Sequence, residues 1–177
     1  KVREKLKPYN VKYDFDFHTN EEHPEDGIEE IIFYLKDAED KNPIKISRGE
    51  ERIFIWCFFL ALFDTEGWQD EQNEYIFVDD PVSSLDDHNI FVTIFTLLEL
   101  IDKYCDKKKI IITTHHIGFA TILSDCLFKG EKSDRYKKKS KIQLLERTDD
   151  GYVLANPKND VLLYHLRLLQ ILDDAVV

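Results

Sequence analysis

Short apolar runs and longer helical patterns alternate through the middle of the chain. Residues 75–78 and 110–112 are continuous apolar runs, which predict strands buried on both faces. Residues 87–104, between the two runs, carry apolar side chains at helical spacing. Residues 51–62 and 117–127 predict further helices, one before the first strand and one after the second. This order predicts an α/β fold in which helices flank a parallel sheet.

The two ends of the chain show weaker patterns. Residues 11–17 place an apolar side chain at every second position, which is the period of a half-buried strand. Residues 29–35 fit either a further strand or a short helix, and their pattern does not decide between the two. Residues 143–146 and 152–154, joined through an Asp-Asp-Gly turn, predict a hairpin. Residues 161–177 are rich in leucine and predict a closing helix.

The composition is that of a globular protein. The 177 residues are 43% hydrophobic and 33% charged, a balance typical of soluble domains. The longest apolar stretch, residues 53–63, is too short to span a bilayer, and no N-terminal signal pattern is present. The three cysteines are far apart and lack metal-ligand spacing, which favours reduced thiols. We therefore expect a cytoplasmic protein that makes no membrane contact.

One segment departs from the acidic balance of the chain. The net charge of −11 argues against a surface that binds nucleic acid as a whole. Residues Lys129–Lys141, however, include seven basic and two acidic side chains. Such a run is either a solvated loop or a contact with tRNA, DNA or a nuclease partner, driven by phosphate neutralisation. The sequence leaves both interpretations open.

Two carboxylates follow the apolar run at 75–78. Asp79 and Asp80 would lie at the carboxyl edge of a parallel sheet, where ligands bind in open α/β folds. A first carboxylate there suits Mg²⁺, which takes oxygen ligands and is usually shared with substrate phosphates. A second carboxylate can orient a water for in-line attack on a phosphoryl group. Considered alone, the pair is equally well explained as a solvated strand end before a proline turn.

Two further segments carry polar groups suited to phosphate. Residues 47–50 fit the capping-box pattern, which puts a serine hydroxyl, a glycine N–H and a helix N-terminus in one place. His115 follows the apolar run at 110–112 at the expected sheet edge, where it can donate a hydrogen bond to a γ-phosphate. Each segment alone would be explained by a helix cap or a structural histidine, and we expect a structural role for the neighbouring His116.

Taken together and in order, these segments resemble three motifs of ABC-type ATPases. They are the signature motif (Ser-Arg-Gly-Glu-Glu, 47–51), the Walker B strand with its D-loop (Asp-Asp-Pro-Val-Ser-Ser-Leu-Asp, 79–86) and the switch-histidine strand (Thr-Thr-His-His, 113–116). Within that superfamily they look most similar to the ATPases of bacterial anticodon nucleases and related phage-defence systems. The resemblance implies the C-terminal part of a P-loop NTPase domain of ABC type, with ATP and Mg²⁺ as its cofactors.

The resemblance also implies roles for individual residues. Asp79 would hold Mg²⁺ through water, Asp80 would occupy the place of the catalytic glutamate, and His115 would be the switch histidine. The residues that would meet the ATP of a partner domain are Ser47, Arg48, Gly49 and Glu50. The residues of the D-loop, which would cross the dimer interface, are Ser84, Leu85 and Asp86.

Three departures from the family pattern affect these expectations. Arg48 stands where transporter-type members usually have glycine, and Asp80 is one methylene shorter than glutamate, so we expect a slow, switch-like ATPase. No GxxxxGK[ST] phosphate loop occurs in the 177 residues. The lobe that carries this loop is therefore expected upstream. The chain alone should bind ATP weakly and be inactive.

Residues 1–177 are accordingly expected to form the C-terminal part of one ATPase domain. Residues 1–46 would precede the signature, 47–128 would hold the motifs, and 129–177 would contain the basic loop, the hairpin and a C-terminal helix. The implied function is an ATP-driven, head-to-tail dimerising switch that controls an effector, a nuclease in phage defence. The alternatives are a DNA-repair ATPase of the SMC-like kind and a regulatory module that binds nucleotide without hydrolysis.

Overall fold

The computed structural model describes residues 1–65, 74–149 and 151–157. The chain divides into two compact units, Lys1–Thr113 and Thr114–Val177. The helix predicted at 161–177 lies outside the described residues. None of the helices in the described ranges is long and apolar enough to cross a membrane.

The first unit begins with a short helix and an antiparallel hairpin. α1 (Val2–Leu6) leads through a 3₁₀ turn into β1 (Tyr13–Thr19). β2 (Ile28–Leu35) pairs antiparallel with β1, so the segment whose pattern was undecided is a strand. Tyr13 and Phe15 are buried at alternate positions of β1. The prediction of a half-buried strand here is confirmed.

The next helix packs on this hairpin. α2 (Arg48–Phe63) begins directly after Ser47, whose side chain caps it as predicted. Phe54 on α2 meets Phe15 and Phe33 edge-on, with ring centroids 4.9 and 5.0 Å apart. Because edge-to-face aromatic pairs add to the gain from burial, these three rings hold the start of α2 against the sheet.

A parallel pair of strands follows, as predicted. β3 (Tyr75–Asp79) and β4 (Lys109–Thr113) lie side by side in parallel, and α3 (Asp87–Tyr104) connects them. Strand, helix and parallel strand form the βαβ unit that defines an α/β fold. The predicted fold class, a parallel sheet with flanking helices, is confirmed.

Only one face of β3 is buried. Ile76 and Val78 are buried, whereas Phe77 between them is 67% exposed. On β4, Ile111 is 40% exposed. The prediction that both strands are buried on two faces is therefore wrong for the residues described. A continuous apolar run shows what a strand can bury, but it does not show which neighbours cover it.

Polar contacts link α2 to α3. The indole N–H of Trp56 donates a hydrogen bond to Thr96 Oγ1 at 2.9 Å. The hydroxyl of Tyr104, which is buried near the end of α3, donates to the carbonyl oxygen of Phe63 at 3.1 Å. Buried hydrogen bonds of this kind are costly to break because each partner would be left unsatisfied. The two helices are therefore fixed to each other along their length.

An ion-pair cluster fastens the end of α2. Asp64, just beyond the helix, contacts Lys5 Nζ at 2.7 Å and Lys103 Nζ at 2.9 Å. The hydrogen bond from Lys5 above all, together with that from Lys103, lowers the pKa of Asp64 below its ordinary value. One carboxylate thus joins α1, α2 and α3.

The second unit contains the predicted hairpin. β5 (Leu144–Thr148) and β6 (Gly151–Ala155) pair antiparallel. Gly151 has a φ of 131°, a backbone conformation that side chains other than hydrogen rarely allow. The glycine of the Asp-Asp-Gly sequence is thus placed where the tight turn requires it.

The basic segment 129–141 is not a plain loop. α4 (Ile117–Lys129) runs into it, and a short helix, α5 (Ser133–Lys137), lies within it. Tyr136 is buried and anchors α5, whereas Lys138 is exposed. The loop prediction missed this helix because one buried aromatic residue, rather than a repeating apolar pattern, holds it in place.

Candidate functional site

The end of β3 is fastened to the end of β4. Asp79 lies opposite Thr113 in the parallel register, and Thr113 Oγ1 donates a hydrogen bond to Asp79 Oδ1. The backbone N–H of Asp80 donates to the carbonyl oxygen of Thr113 at 2.8 Å. Both carboxylate-bearing residues are therefore tied to one residue of the neighbouring strand. Nothing in the sequence pattern had indicated a role for Thr113 itself.

The chain turns sharply after β3. Asp80 and Ser84 have φ angles of 43° and 66°, in the left-handed region that non-glycine residues seldom occupy. The N–H groups of Ser83 and Leu85 donate to the carbonyl oxygens three residues before them, at 3.4 and 3.2 Å. Val82, 1% exposed, anchors the turn. Strained backbone of this kind persists where its surroundings hold it and is frequent at functional sites.

The last residue of this turn starts the next helix. The carboxylate of Asp86 accepts hydrogen bonds from the backbone N–H of Asn89 at 2.8 Å and from its Nδ2 at 3.0 Å. Asp86 is thus the N-cap of α3, a role that aspartate fills well. The residue expected to close the D-loop therefore also fixes where the loop ends.

The capping box of α2 uses the hydroxyl proton of Ser47. Ser47 donates to Glu50 Oε2 twice, from its backbone N–H at 2.8 Å and from its hydroxyl at 2.7 Å. In return, Ser47 Oγ accepts from the N–H of Glu50 at 3.3 Å. A serine hydroxyl has one proton to donate. An anion that approached Ser47 would therefore have to replace Glu50 as the acceptor of the hydrogen bond from the hydroxyl. Arg48, the first residue of the helix, is exposed beside them.

The start of α2 lies against the turn after β3. A Cβ atom added to Gly49 would be 3.0 Å from the carbonyl oxygen of Ser84 and 4.0 Å from Leu85 Cδ2. Two sequence segments more than thirty residues apart are therefore in contact within the first unit. The sequence placed both among the candidate site residues but gave no sign that they touch.

An open groove lies between α2 and the end of β3. Its volume is about 240 Å³, and Arg52, Ile55, Phe77, Asp79 and Asp80 are among the residues that line it. Small-molecule sites usually have volumes of about 300–1,000 Å³. The groove alone is therefore too small to enclose a nucleotide, although Asp79 and Asp80 in its lining lie at the carboxyl edge of the sheet.

Two histidines follow β4 in the chain. His115, in the second unit, is exposed and comes two residues after the last residue of β4. The Nδ1 atom of His116 accepts a hydrogen bond from the N–H of Phe119 at 3.0 Å and caps α4. A Cβ atom on Gly118 would lie 3.1 Å from His116 Cε1, so the glycine leaves room for the capping ring. The structural role predicted for His116 is confirmed, and the catalytic role of His115 stays a prediction.

The carboxylate of Asp79 fits a magnesium ion bound mainly by water and phosphate. One of its oxygens accepts from Thr113, and the side chain is exposed at the strand end. In the described residues, no group of three or more acidic, histidine or cysteine side chains could hold a metal ion by itself. Mg²⁺ commonly takes only one or two carboxylates from a protein and completes its shell with water and substrate phosphates.

The βαβ unit carries two carboxylates at its carboxyl edge, the edge at which open α/β folds bind ligands. A family model described as an AAA domain matches residues 1–162. The chain belongs to this family of AAA domains, known as AAA_13.

Comparison with known proteins gives two further likenesses. The anticodon nuclease of Escherichia coli is 32% identical over 166 residues, a match that covers 83% of this chain and 39% of that protein. One solved structure comes from work on the structural biochemistry of ATP-driven dimerization and DNA-stimulated activation of SMC ATPases. Its superposition on this chain has a TM-score of 0.52. It is 15% identical and aligns with 96% of this chain and 87% of that one, which shows a shared fold. The predicted resemblance to ATPases of anticodon nucleases is confirmed.

Proposed function

We propose that this chain supplies the hydrolytic carboxylates and the partner-facing motif of an ATPase that works as a dimerisation switch. Two contacts support the proposal. The hydrogen bond from Thr113 holds the carboxylate of Asp79 at the end of β3, and the approach of Gly49 to Ser84 brings the start of α2 beside the turn that follows β3. The second contact supports the head-to-tail arrangement, because it brings together the two segments that are expected to face a partner.

At the strand end, the two acidic residues have different tasks. Asp79 accepts hydrogen bonds from the water shell of Mg²⁺, the ion that neutralises the phosphates of ATP. Asp80 orients the attacking water and accepts its proton, as a carboxylate can in phosphoryl transfer. His115 donates a hydrogen bond to the γ-phosphate. Because the side chain of Asp80 is short, hydrolysis is slow and ATP keeps the dimer closed for long periods.

At the helix start, this chain completes the site of its partner. The hydroxyl of Ser47 and the N–H of Gly49 bind the γ-phosphate held by a second copy, helped by the positive end of the α2 dipole. Arg48 adds a guanidinium that pairs well with phosphate oxygens. To bind the phosphate, the hydroxyl of Ser47 must give up its hydrogen bond to Glu50 and donate to a phosphate oxygen instead. The D-loop, Ser84–Asp86, crosses between the two copies.

The likeness to an anticodon nuclease supports a nuclease as the effector of the switch. That relative is named for cleavage at an anticodon, and the chain corresponds to 39% of its length. We therefore propose that nucleotide-driven pairing controls a nuclease acting in phage defence in the cytoplasm. The basic segment 129–141 contacts the tRNA or DNA, since its lysines can neutralise phosphates.

The proposal is tested by measuring ATP turnover and the molecular mass of the protein under the same conditions. The chain corresponds to 39% of the length of its anticodon-nuclease relative, so the experiment uses the intact protein. Phosphate release and light scattering are followed with and without ATP. We expect slow turnover and ATP-dependent dimers, and we expect Asp80→Asn to stop turnover while it stabilises the dimer.

Asp125→Asn is the matched control, because Asp125 is an exposed carboxylate that pairs with Lys129 at 2.8 Å. It should leave both readouts unchanged. Absence of turnover in the wild-type protein would leave a regulatory module that binds nucleotide without hydrolysis. Turnover by a protein that stays monomeric with ATP would contradict the dimerisation switch.

A further inference from the structure

Thr113 makes two different bonds to the neighbouring strand end. Its hydroxyl donates to Asp79 Oδ1, and its carbonyl oxygen accepts from the N–H of Asp80 at 2.8 Å. The second bond continues the parallel ladder and could be made by any residue. The first bond needs a hydroxyl. We propose that Thr113 is a positioning residue that sets the orientation of the Asp79 carboxylate for a divalent cation bound with nucleotide. This inference rests on the proposed function.

The side-chain bond has a direct consequence for the carboxylate. An aspartate at an exposed strand end can rotate about its side-chain torsions, and a cation that binds it must overcome that freedom. The Thr113 hydroxyl occupies Oδ1 and selects one orientation, which leaves Oδ2 to meet the water shell of the cation. A hydrogen bond to an ionised carboxylate is stronger than a neutral one, so the selected orientation is well populated.

Threonine suits this task better than other hydroxyl residues. Its branched Cβ restricts the first side-chain torsion, particularly in a strand. The parallel register places residues 79 and 113 directly opposite each other, so the hydroxyl reaches the carboxylate without distorting the backbone. Valine has nearly the same shape and the same preference for strands, and it lacks only the hydroxyl.

A purely structural role is the competing explanation, and exposure argues against it. Thr113 and Asp79 are both exposed. Because both side chains are exposed, losing the bond between them leaves no buried group unsatisfied, so the fold loses little stability. Removing the hydroxyl should therefore change cation binding more than it changes unfolding.

The test measures cation binding rather than turnover. Mn²⁺ is titrated into the intact protein with a non-hydrolysable ATP analogue, and free Mn²⁺ is followed by electron paramagnetic resonance. For Thr113→Val we expect affinity for Mn²⁺ to fall about three- to tenfold, the range of one net hydrogen bond. Thr113→Ser should recover most of the loss. Binding of the analogue without metal and the unfolding temperature should stay close to the wild-type values.

Two further variants separate the possible outcomes. Thr121→Val removes a hydroxyl that donates to the backbone of its own helix, and it should bind Mn²⁺ like the wild type. Asp79→Asn should weaken Mn²⁺ binding more than Thr113→Val does. Wild-type affinity in Thr113→Val, or a loss in Thr113→Ser as large as that in the valine variant, would overturn the positioning role while the proposed function stands. If the wild-type protein binds no Mn²⁺ with the analogue, or if Asp79→Asn binds it normally, the proposed function and this inference both fail.

Discussion

Gly49 lies directly against Ser84, so that a Cβ atom on the glycine would be 3.0 Å from the carbonyl oxygen of the serine. Few real Cβ contacts are this short, and here the neighbouring atom belongs to the backbone of a turn already held at positive φ. The helix start and the turn therefore behave as one surface. Any movement of one segment must be shared by the other.

Gly49→Ala tests this coupling. The added methyl group should push the turn at Ser84 by a few tenths of an ångström. Alanine also favours the helix by up to about 1 kcal/mol over glycine, so the free energy of unfolding should change little. We expect ATP-dependent dimerisation and turnover of the intact protein to fall at least severalfold. Gly49→Val should impair both more strongly, and normal turnover in Gly49→Ala would show that the contact does not matter for the switch.

Ser47→Arg tests the partner-facing role of the helix start. The long cationic side chain would fill the space at which the partner's phosphate is expected, so paired hydrolysis should be blocked. Binding of a fluorescent ATP analogue by the intact protein should be spared, because Ser47 serves the nucleotide of the other copy. Unchanged turnover would contradict the proposal.

The loss of the helix cap must be separated from this effect. Ser47→Ala removes the hydroxyl that caps α2 and should cost about 1 kcal/mol of unfolding free energy, measured by urea titration. Ser47→Thr keeps a capping hydroxyl and should lie between alanine and the wild type. Ser47→Ala loses both the cap and the hydroxyl proposed to meet the phosphate. Ser47→Arg also fills the site, so it should lower turnover further than Ser47→Ala, and equal losses would contradict blocking by the added side chain.

Asp64 should make the stability of the fold depend on pH. The hydrogen bonds from Lys5 and Lys103 lower its pKa in the folded state. The ionised carboxylate therefore stabilises the fold above its unfolded pKa, and this contribution is lost as the pH falls through the lower, folded pKa. Asp64→Asn should be less stable at neutral pH, by up to about 1 kcal/mol because the cluster is partly exposed.

Thermal unfolding from neutral pH to about pH 3 checks this expectation. The difference between the wild type and Asp64→Asn should shrink in the acidic part of the range. Asp125→Asn, which alters an exposed pair within α4, is the control and should show a smaller difference throughout. A difference that stays constant with pH would contradict the role of the charge.

The basic segment 129–141 should bind nucleic acid in a salt-dependent way. Lys137, Lys138 and Lys141 are exposed and make no ion pair with another described residue. Replacing all three by glutamine should weaken binding of tRNA or duplex DNA. Each lost phosphate contact should reduce the slope of log K against log salt by about 0.7–0.9.

Fluorescence anisotropy over a range of salt concentrations gives this slope for both nucleic acids. The matched control replaces three exposed lysines elsewhere in the chain by glutamine: Lys12, Lys45 and Lys107. ATP turnover should be normal in both triple variants. Equal slopes for the two variants would mean that the segment is a solvated surface.

Local patterns predicted much of the fold because they depend on neighbours in sequence. The capping box at Ser47, the strand at 75–79 and the hairpin closed by Gly151 are each specified within a few residues. α1 and α5 were missed, since five-residue helices have too few turns to show a period and are held by single buried residues, Leu6 and Tyr136.

The sequence identifies candidate residues for the site, but it does not show the contacts between them. Asp79 and Asp80 were identifiable from their place after an apolar run. The hydrogen bond from Thr113 and the contact between Gly49 and Ser84 join residues far apart in sequence. Only the parallel register and the packing of α2 bring these pairs together, and neither leaves a periodic trace in the sequence. The one-sided burial of β3 was mispredicted for the same reason.

The exposed face of β3 affects how the chain behaves when handled alone. Phe77 is 67% exposed and stacks on Tyr75, itself 44% exposed, with ring centroids 6.0 Å apart. In the described residues, the sheet that carries these rings has two strands, so each strand offers an edge of backbone donors and acceptors. Apolar side chains beside an open edge are a template for association between chains. We therefore expect a concentrated preparation of this chain to associate through β3, and we expect Phe77→Lys to reduce that association.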